Sequence, residues 1–225
     1  MNYPFVRQAA LGICLLASAV TLSATAQAEP DLVKGQADAA MCAACHQADG
    51  SGMNIPNADS WPRLAGLDAG YMVQQLQDFK SGKRQNISMQ PFAQMLNEEQ
   101  MVNVSAWFAS LPVPALAVSA DSYTPEQLAR GEQLATVGDW NNYIVPCSTC
   151  HGPDNLGAGS VFPAIAGQHF GYIRDQLQNW QQDKRDNDPQ QLMAAIAKRM
   201  TSDDIQAVAA WLSTQPGAVT PQQTP

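Results

Sequence analysis

The sequence predicts an all-α protein built as a tandem duplication of one helical unit. Two observations carry that expectation. The first is self-similarity at long range. Trp61-Pro62-Arg63-Leu64-Ala65-Gly66 returns as Phe162-Pro163-Ala164-Ile165-Ala166-Gly167, and Gly70-Tyr71 returns as Gly171-Tyr172. Gln75-Leu76-Gln77-Asp78-Phe79 matches Gln176-Leu177-Gln178-Asn179-Trp180, and Lys83-Arg84-Gln85-Asn86 matches Lys184-Arg185-Asp186-Asn187. Ala106-Trp107-Phe108 matches Ala210-Trp211-Leu212 near the end of each copy. The second observation is that helix start and stop signals recur in both copies, whereas no alternating strand pattern does.

The elements follow in order. A first helix around residues 32–44 leads into Cys42-Ala43-Ala44-Cys45-His46. Its counterpart begins at Thr124-Pro125-Glu126-Gln127, where Thr124 caps, Pro125 takes the first helical position and Gln127 completes a capping box. A middle helix spans about residues 69–80, stopped by Gly82, and recurs at about 170–182. The last helix of each copy starts at Asn97-Glu98-Glu99-Gln100 and at Thr201-Ser202-Asp203-Asp204, a cap residue followed by acids. Gly35 with Trp107, and Gly131 with Trp211, are expected where first and last helices cross closely. The copies meet around Leu111-Pro112-Val113-Pro114, too rich in proline to continue a helix.

Residues 1–28 read as a secretory leader: a basic start at Met1 to Arg7, an apolar run from Ala9 to Val20, and Ala26-Gln27-Ala28 before the cut. Cys14 lies inside that run and is read as leader filler. The expected organisation is thus a leader (1–28), a first unit (29–112) and a second unit (113–225). The second unit starts with the linker and ends in a Pro/Gln/Thr-rich tail from Gly217, expected to be mobile. Losing the leader, with Arg7, takes the net charge from −8 to −9. An acidic chain of this kind is a poor partner for nucleic acid or anionic lipid. No later segment is apolar enough to span a bilayer, so a soluble exported protein is expected.

Removing the leader leaves four cysteines, all within Cys42-x-x-Cys45-His46 and Cys147-Ser148-Thr149-Cys150-His151. Two cysteines three apart can reach two edges of one porphyrin, and the next histidine then faces the iron. A zinc site would need four protein ligands together, and a dithiol redox motif would need strands around it. Export, duplication and the missing strands favour two covalently bound haem c groups, with Cys42, Cys45, Cys147 and Cys150 as attachment points and His46 and His151 as iron ligands.

The sixth ligand separates a carrier from a catalyst. Met89-Gln90-Pro91-Phe92-Ala93 and Met193-Ala194-Ala195-Ile196-Ala197 hold the same place before the last helix. The repeat therefore selects Met89 and Met193. Met95 and Met200 compete but lack aligned methionines, as do Met41, Met53, Met72 and Met101. These six read as packing. Pro62 and Pro163 recur at similar distances after the motifs, where a carbonyl can accept the imidazole N–H and orient His46 or His151. His169, whose counterpart is Asp68, reads as a surface residue or a support rather than an iron ligand. Arg63, Arg84 and Arg185 could pair with haem propionates, although solvation is the more common fate of an arginine.

With these residues assembled, the chain resembles the di-haem cytochrome c4 family over nearly all of residues 30–214. The carriers of the resemblance are the paired Cys-x-x-Cys-His motifs, the Pro-x-Leu/Ile-Ala-Gly blocks at Pro62 and Pro163, the Gln-Leu-Gln-x-Phe/Trp helices and the Lys-Arg-x-Asn loops. It implies two class I cytochrome c domains about a pseudo-two-fold axis, with haem edges close enough to exchange electrons. It also implies a periplasmic shuttle between redox proteins, with a donor such as a quinol-oxidising complex, an acceptor such as a terminal oxidase, and loose membrane association through a partner. The sequence departs from the repeat by nine extra residues between Gly131 and Cys147, including Gly138-Asp139-Trp140-Asn141-Asn142-Tyr143. The two halves sum to −4 and −5, so they lack the opposite charges on which a dipole-based orientation would rest. Electron transfer without bond chemistry is the leading expectation. An acceptor subunit of a periplasmic dehydrogenase complex is the alternative. An enzyme, such as a di-haem peroxidase or a thiosulfate-oxidising cytochrome, is disfavoured by matched methionines, a single spare histidine and no spare cysteine.

Overall fold

The computed structural model describes residues 29–56, 58–115 and 118–217. The expected leader with Cys14, and the tail beyond Gly217, lie outside the described residues. Among the described residues ten α-helices follow in chain order: α1 Leu32–Asp38, α2 Ala43–His46, α3 Ala69–Ser81, α4 Met89–Met95, α5 Glu98–Ser110, α6 Pro125–Thr136, α7 Ser148–His151, α8 Phe170–Gln181, α9 Leu192–Ala197 and α10 Ser202–Thr214. Helices α1 to α5 and α6 to α10 repeat one plan. Among the described residues extended pairing is limited to three isolated antiparallel bridges, Met53 with Trp61, Asp139 with Ile144 and Ala158 with Phe162.

Local chemistry sets the ends. Asn97 and Thr201 each close a full capping box, with Gln100 and Asp204 as their reciprocal partners. Gly82 ends α3 in the left-handed conformation at φ 80°. At α6 the expectation is met only in part. Thr124 Oγ1 accepts from Gln127 N at 3.2 Å, but the Gln127 side chain reaches across to the Gln206 carbonyl instead of back to the cap. The first expected helix is broken: α1 stops at Asp38, a 3-10 turn covers Ala39–Met41, and α2 is a single turn carrying Cys45 and His46.

First and last helices cross in each half at a glycine. A Cβ on Gly35 would stand 2.2 Å from the Asn103 carbonyl oxygen, and one on Gly131 would stand 2.2 Å from that of Ala207 and 2.6 Å from Trp211 Cβ. Only glycine lets those backbones approach so closely. Around the crossings lie two apolar clusters. One contains Leu67, Met72, Leu96, Met101, Val104 and Phe108; the other contains Leu134, Ile144, Leu177, Trp180, Ile205 and Leu212. Ala164, from the second half, packs into the first cluster, so the two halves share core.

Candidate haem sites and the wall between them

The single turns α2 and α7 present Cys45-His46 and Cys150-His151. After each histidine the chain reverses with positive φ, at Gln47 (62°) and Gly152 (78°). The return strand is then pinned from two sides. Leu64 N and Ala65 N donate to the Gly50 carbonyl, and Gly66 N donates to Phe108 O on α5. In the second half Ile165 N and Ala166 N donate to Asn155 O, and Gly167 N donates to Leu212 O on α10. This frame puts the Pro62 carbonyl 2.9 Å from His46 Nδ1 and the Pro163 carbonyl 2.7 Å from His151 Nδ1. A carbonyl can only accept, so each Nδ1 carries the hydrogen and each Nε2 keeps its lone pair. Both imidazoles are buried, and burial, partly offset by the proline carbonyl, depresses their pKa and keeps them neutral.

Each histidine lines a cavity. In the second half a cavity of about 520 Å³ is bounded by Cys147, Cys150, His151, Pro163, Leu177 and Met193. The first half holds one of about 190 Å³ bounded by Cys42, Cys45, His46, Pro62, Phe79 and Met89. Among the described residues no two cysteines are joined in a disulfide. Burial pushes Cys42 up to about 11 and Cys147 up to about 12, the reverse of what a reactive dithiol needs. Among the described residues no three His, Cys, Asp or Glu side chains converge as a metal cluster, so a zinc site has no donor set. Mostly apolar cavities, each edged by two thiols and one oriented neutral imidazole, fit a covalently bound haem c in each half.

The selected methionines sit alike. Met89 opens α4 and Met193 is the second residue of α9, each half-buried at its cavity. Their N–H groups are held by side chains, Met89 N by Asn86 Oδ1 at 2.9 Å and Met193 N by Asp188 Oδ2 at 2.8 Å. Of the competitors, Met95 is 65% exposed and lines neither cavity. Met200 is buried at the second cavity, in the place that Leu96 fills in the first. Met41 and Met72 also line the first cavity.

The arginines overturn the expectation of solvation. Arg63, Arg84 and Arg185 are all buried, and among the described residues none pairs with a carboxylate within 4.0 Å. Arg84 Nη2 donates to Tyr172 OH and Gln176 Oε1 at 2.9 and 2.8 Å, and its Nη1 donates to Gln75 Oε1. Arg185 mirrors it, donating to Gln176 at 2.8 Å, Gln75 at 3.2 Å and Tyr71 OH at 3.5 Å. Their guanidinium groups lie over the Phe79 and Trp180 rings at 4.6 and 4.0 Å. Leu67, Tyr71, Gln75, Tyr172, Gln176 and Arg185 line both cavities, so this network is one wall between two sites. Two buried cations with no carboxylate within 4.0 Å, beside a Trp180 Nε1 that has no partner, suit a group bringing its own anionic oxygens, as haem propionates do.

Arg63 is fully buried between the halves. Its guanidinium donates to Ala65 O, Ala166 O and Gly167 O, and burial lowers its pKa to about 10. Its main chain is read by one residue: Gln168 Oε1 accepts from Arg63 N at 2.8 Å, and Gln168 Nε2 donates to Arg63 O at 3.0 Å. His169 is also buried, with Nε2 at 2.8 Å from Ser51 O in the other half. It occupies the cap position that Asp68 fills in the first half but makes no cap bond. Sequence reasoning missed the wall, Gln168 and Asp188. Tyr71 with Gln75, and Tyr172 with Gln176, recur four apart on one helix face, which was the available signal.

A tandem c-type cytochrome is the class that this helical duplication and its twin histidine–proline sites define. The chain belongs to the cytochrome c family, in its di-haem cytochrome c4 branch: the Cytochrome c family model matches residues 32–112 and 128–216. It is 45% identical over 172 residues to the thiosulfate dehydrogenase electron acceptor of Stutzerimonas stutzeri (strain A1501), covering 76% of this chain and 77% of that one. Identity to cytochrome c4 of Pseudomonas aeruginosa is 34% over 193 residues, covering 85% and 92%. Among solved structures, thiosulfate dehydrogenase from Marichromatium purpuratum superposes with a TM-score of 0.76 at 35% identity, covering 87% of this chain. This chain spans 42% of that longer one. The protein is a di-haem electron carrier with two covalently bound haem c groups.

Proposed function

We propose that this protein takes electrons from a thiosulfate dehydrogenase in the periplasm and passes them to a respiratory acceptor such as a terminal oxidase, with no catalysis of its own. The carrier reading rests chiefly on one observation: two matched histidine–proline sites face a single shared wall. Bound haem supplies a one-electron Fe(III)/Fe(II) couple. The residues do the rest. Cys42, Cys45, Cys147 and Cys150 fix the groups covalently. His46 and His151, turned by Pro62 and Pro163, would hold the iron through Nε2, and Met89 and Met193 would serve as its further ligands, leaving no site for substrate. The donor is inferred from the 45% identity to a protein named for that role. Export is supported by the leader-like residues 1–28, and among the described residues no helix is long and apolar enough to cross a membrane.

The test is stopped-flow reduction of the oxidised holoprotein by thiosulfate in the presence and absence of thiosulfate dehydrogenase. Both haems should reduce rapidly only when the enzyme is present. No acceleration, together with fast oxidation by a terminal oxidase after reduction by a quinol-oxidising complex, would assign it to the general cytochrome c4 role that the 34% relative suggests.

A further inference from the structure

The nine residues that the second half has and the first lacks form a built projection. Gly138 N donates to Gln133 O at 2.7 Å, and Asp139 and Ile144 exchange both backbone hydrogen bonds, at 2.7 and 2.9 Å. Asp139 is tied down further by Asn142 Nδ2 at 3.0 Å and by Arg130 Nη2 at 2.8 Å, and Arg130 Nε in turn holds Asp204 at 2.7 Å. Ile144 is buried, and Ile144, Val145, Pro146 and Cys147 form part of the second cavity's lining. On this anchored base Trp140 is 64% exposed and Tyr143 is 75% exposed, with Val137 beside them. Tyr143 holds φ 57° and ψ 35°, a conformation that favours Asn or Gly over an aromatic residue. A ring kept there, in water, on a braced loop, serves no purpose inside the molecule.

We propose that the Trp140–Tyr143 projection is the docking surface for the electron-donating enzyme, and that it makes the second half the entry point for electrons. This rests on the reading of a thiosulfate dehydrogenase as donor. The occupant comes from that reading, through the 45% identical relative, and four features suit the projection to a redox contact. The projection adjoins Cys147, so a partner seated on it lies a short covalent path from the second haem. The segment from Gly131 to His151 contains no Lys or Arg, and its one acid besides the paired Asp139 is Glu132, so the contact is apolar rather than a charge match. Tyr and Trp are the side chains that most often anchor interfaces. Two of them burying about 150–250 Å² each provide the centre of a small, transient redox contact below about 1,200 Å² in total. In the encounter one electron leaves a reduced metal centre of the enzyme and reduces the ferric iron of the second half; no atom or proton moves.

The experiment uses holoprotein carrying Trp140→Ser, Tyr143→Asn or both, with Trp140→Phe as the conservative variant and Val33→Ser as an exposed apolar control on α1. Second-order reduction by thiosulfate-reduced thiosulfate dehydrogenase is followed by stopped flow, and affinity for that enzyme by calorimetry. Reduction by ascorbate and the melting temperature report on the haem and the fold. The double variant should react roughly tenfold more slowly and bind correspondingly more weakly. Ascorbate reduction should be unchanged, Trp140→Phe should retain most of the rate, and Tyr143→Asn should melt no lower than wild type. Wild type reduced by the enzyme, with the double variant equally fast, would overturn the docking assignment and leave the donor reading standing. Wild type not reduced by the enzyme would overturn both. Self-association of wild type that the double variant abolishes would assign the projection to a second copy and refute the proposal.

Discussion

Nine methionines compete for two iron positions, and among the described residues a main-chain N–H held by a side chain sets two of them apart. Asn86 and Asp188 hold the N–H groups of Met89 and Met193, so each thioether starts from a fixed backbone at its cavity. In the oxidised protein, Met89→Ala or Met193→Ala is expected to halve the long-wavelength Met–Fe(III) charge-transfer band and leave the remaining site unchanged. A band of full intensity in either variant would reassign that ligand. His169 yields a prediction of a different kind. Burial depresses its pKa, the Ser51 carbonyl partly offsets this, and the nearby Arg63 charge adds to the depression. The unfolded chain, with a pKa of about 6.5, therefore binds the proton first. Stability that this group contributes is complete above about pH 6.5 and declines as pH falls through that value towards the lower folded pKa. Chemical denaturation of His169→Asn between about pH 5 and 7 should show a shallower dependence than wild type.

The helices carry their own tests. At the crossing of α6 and α10 a methyl group has no room, because the Ala207 carbonyl and Trp211 Cβ already occupy its space. Gly131→Ala should cost about 3 kcal/mol or more, read as a lowered denaturation midpoint or lost haem incorporation in the second half. Thr201→Ala, which opens the capping box of α10, should cost about 1 kcal/mol and leave the haem spectrum alone. These elements were largely legible in the sequence, since caps, stops and the close-approach glycines are local signals. The histidine–proline contacts were legible too, because duplication marked the same carbonyl twice. Asp188 was not. The repeat aligns Asn86 with Asn187, yet Asn187 turns to Gln75 and Asp78 at 2.9 and 2.6 Å and its neighbour takes over the methionine. A one-residue exchange of roles leaves no trace in an alignment of two copies.

Taken whole, the molecule is joined more tightly than its composition indicates. Burial of Arg63, Arg84, Arg185 and His169 depends on how the halves meet, which no local pattern encodes, so an expectation of solvated arginines was physically reasonable and still failed. Gln168 is the smallest part of that joint. Replacing it with Leu leaves the Arg63 N–H and carbonyl unpaired at a buried site, which costs about 1–3 kcal/mol. Calorimetry of Gln168→Leu should separate a single cooperative unfolding transition into two, one per half.

The wall of Tyr71, Gln75, Arg84 and their counterparts Tyr172, Gln176 and Arg185 is built from residues matched between the copies. Matched residues alone give a conductor no forward direction. A preference for current running one way belongs to positions where the copies differ, among them Arg63 against Ala164, Asp68 against His169, Leu96 against Met200, and the braced aromatic loop before Cys147. Duplication built the wire, and divergence at a few positions made it possible to give that wire a polarity.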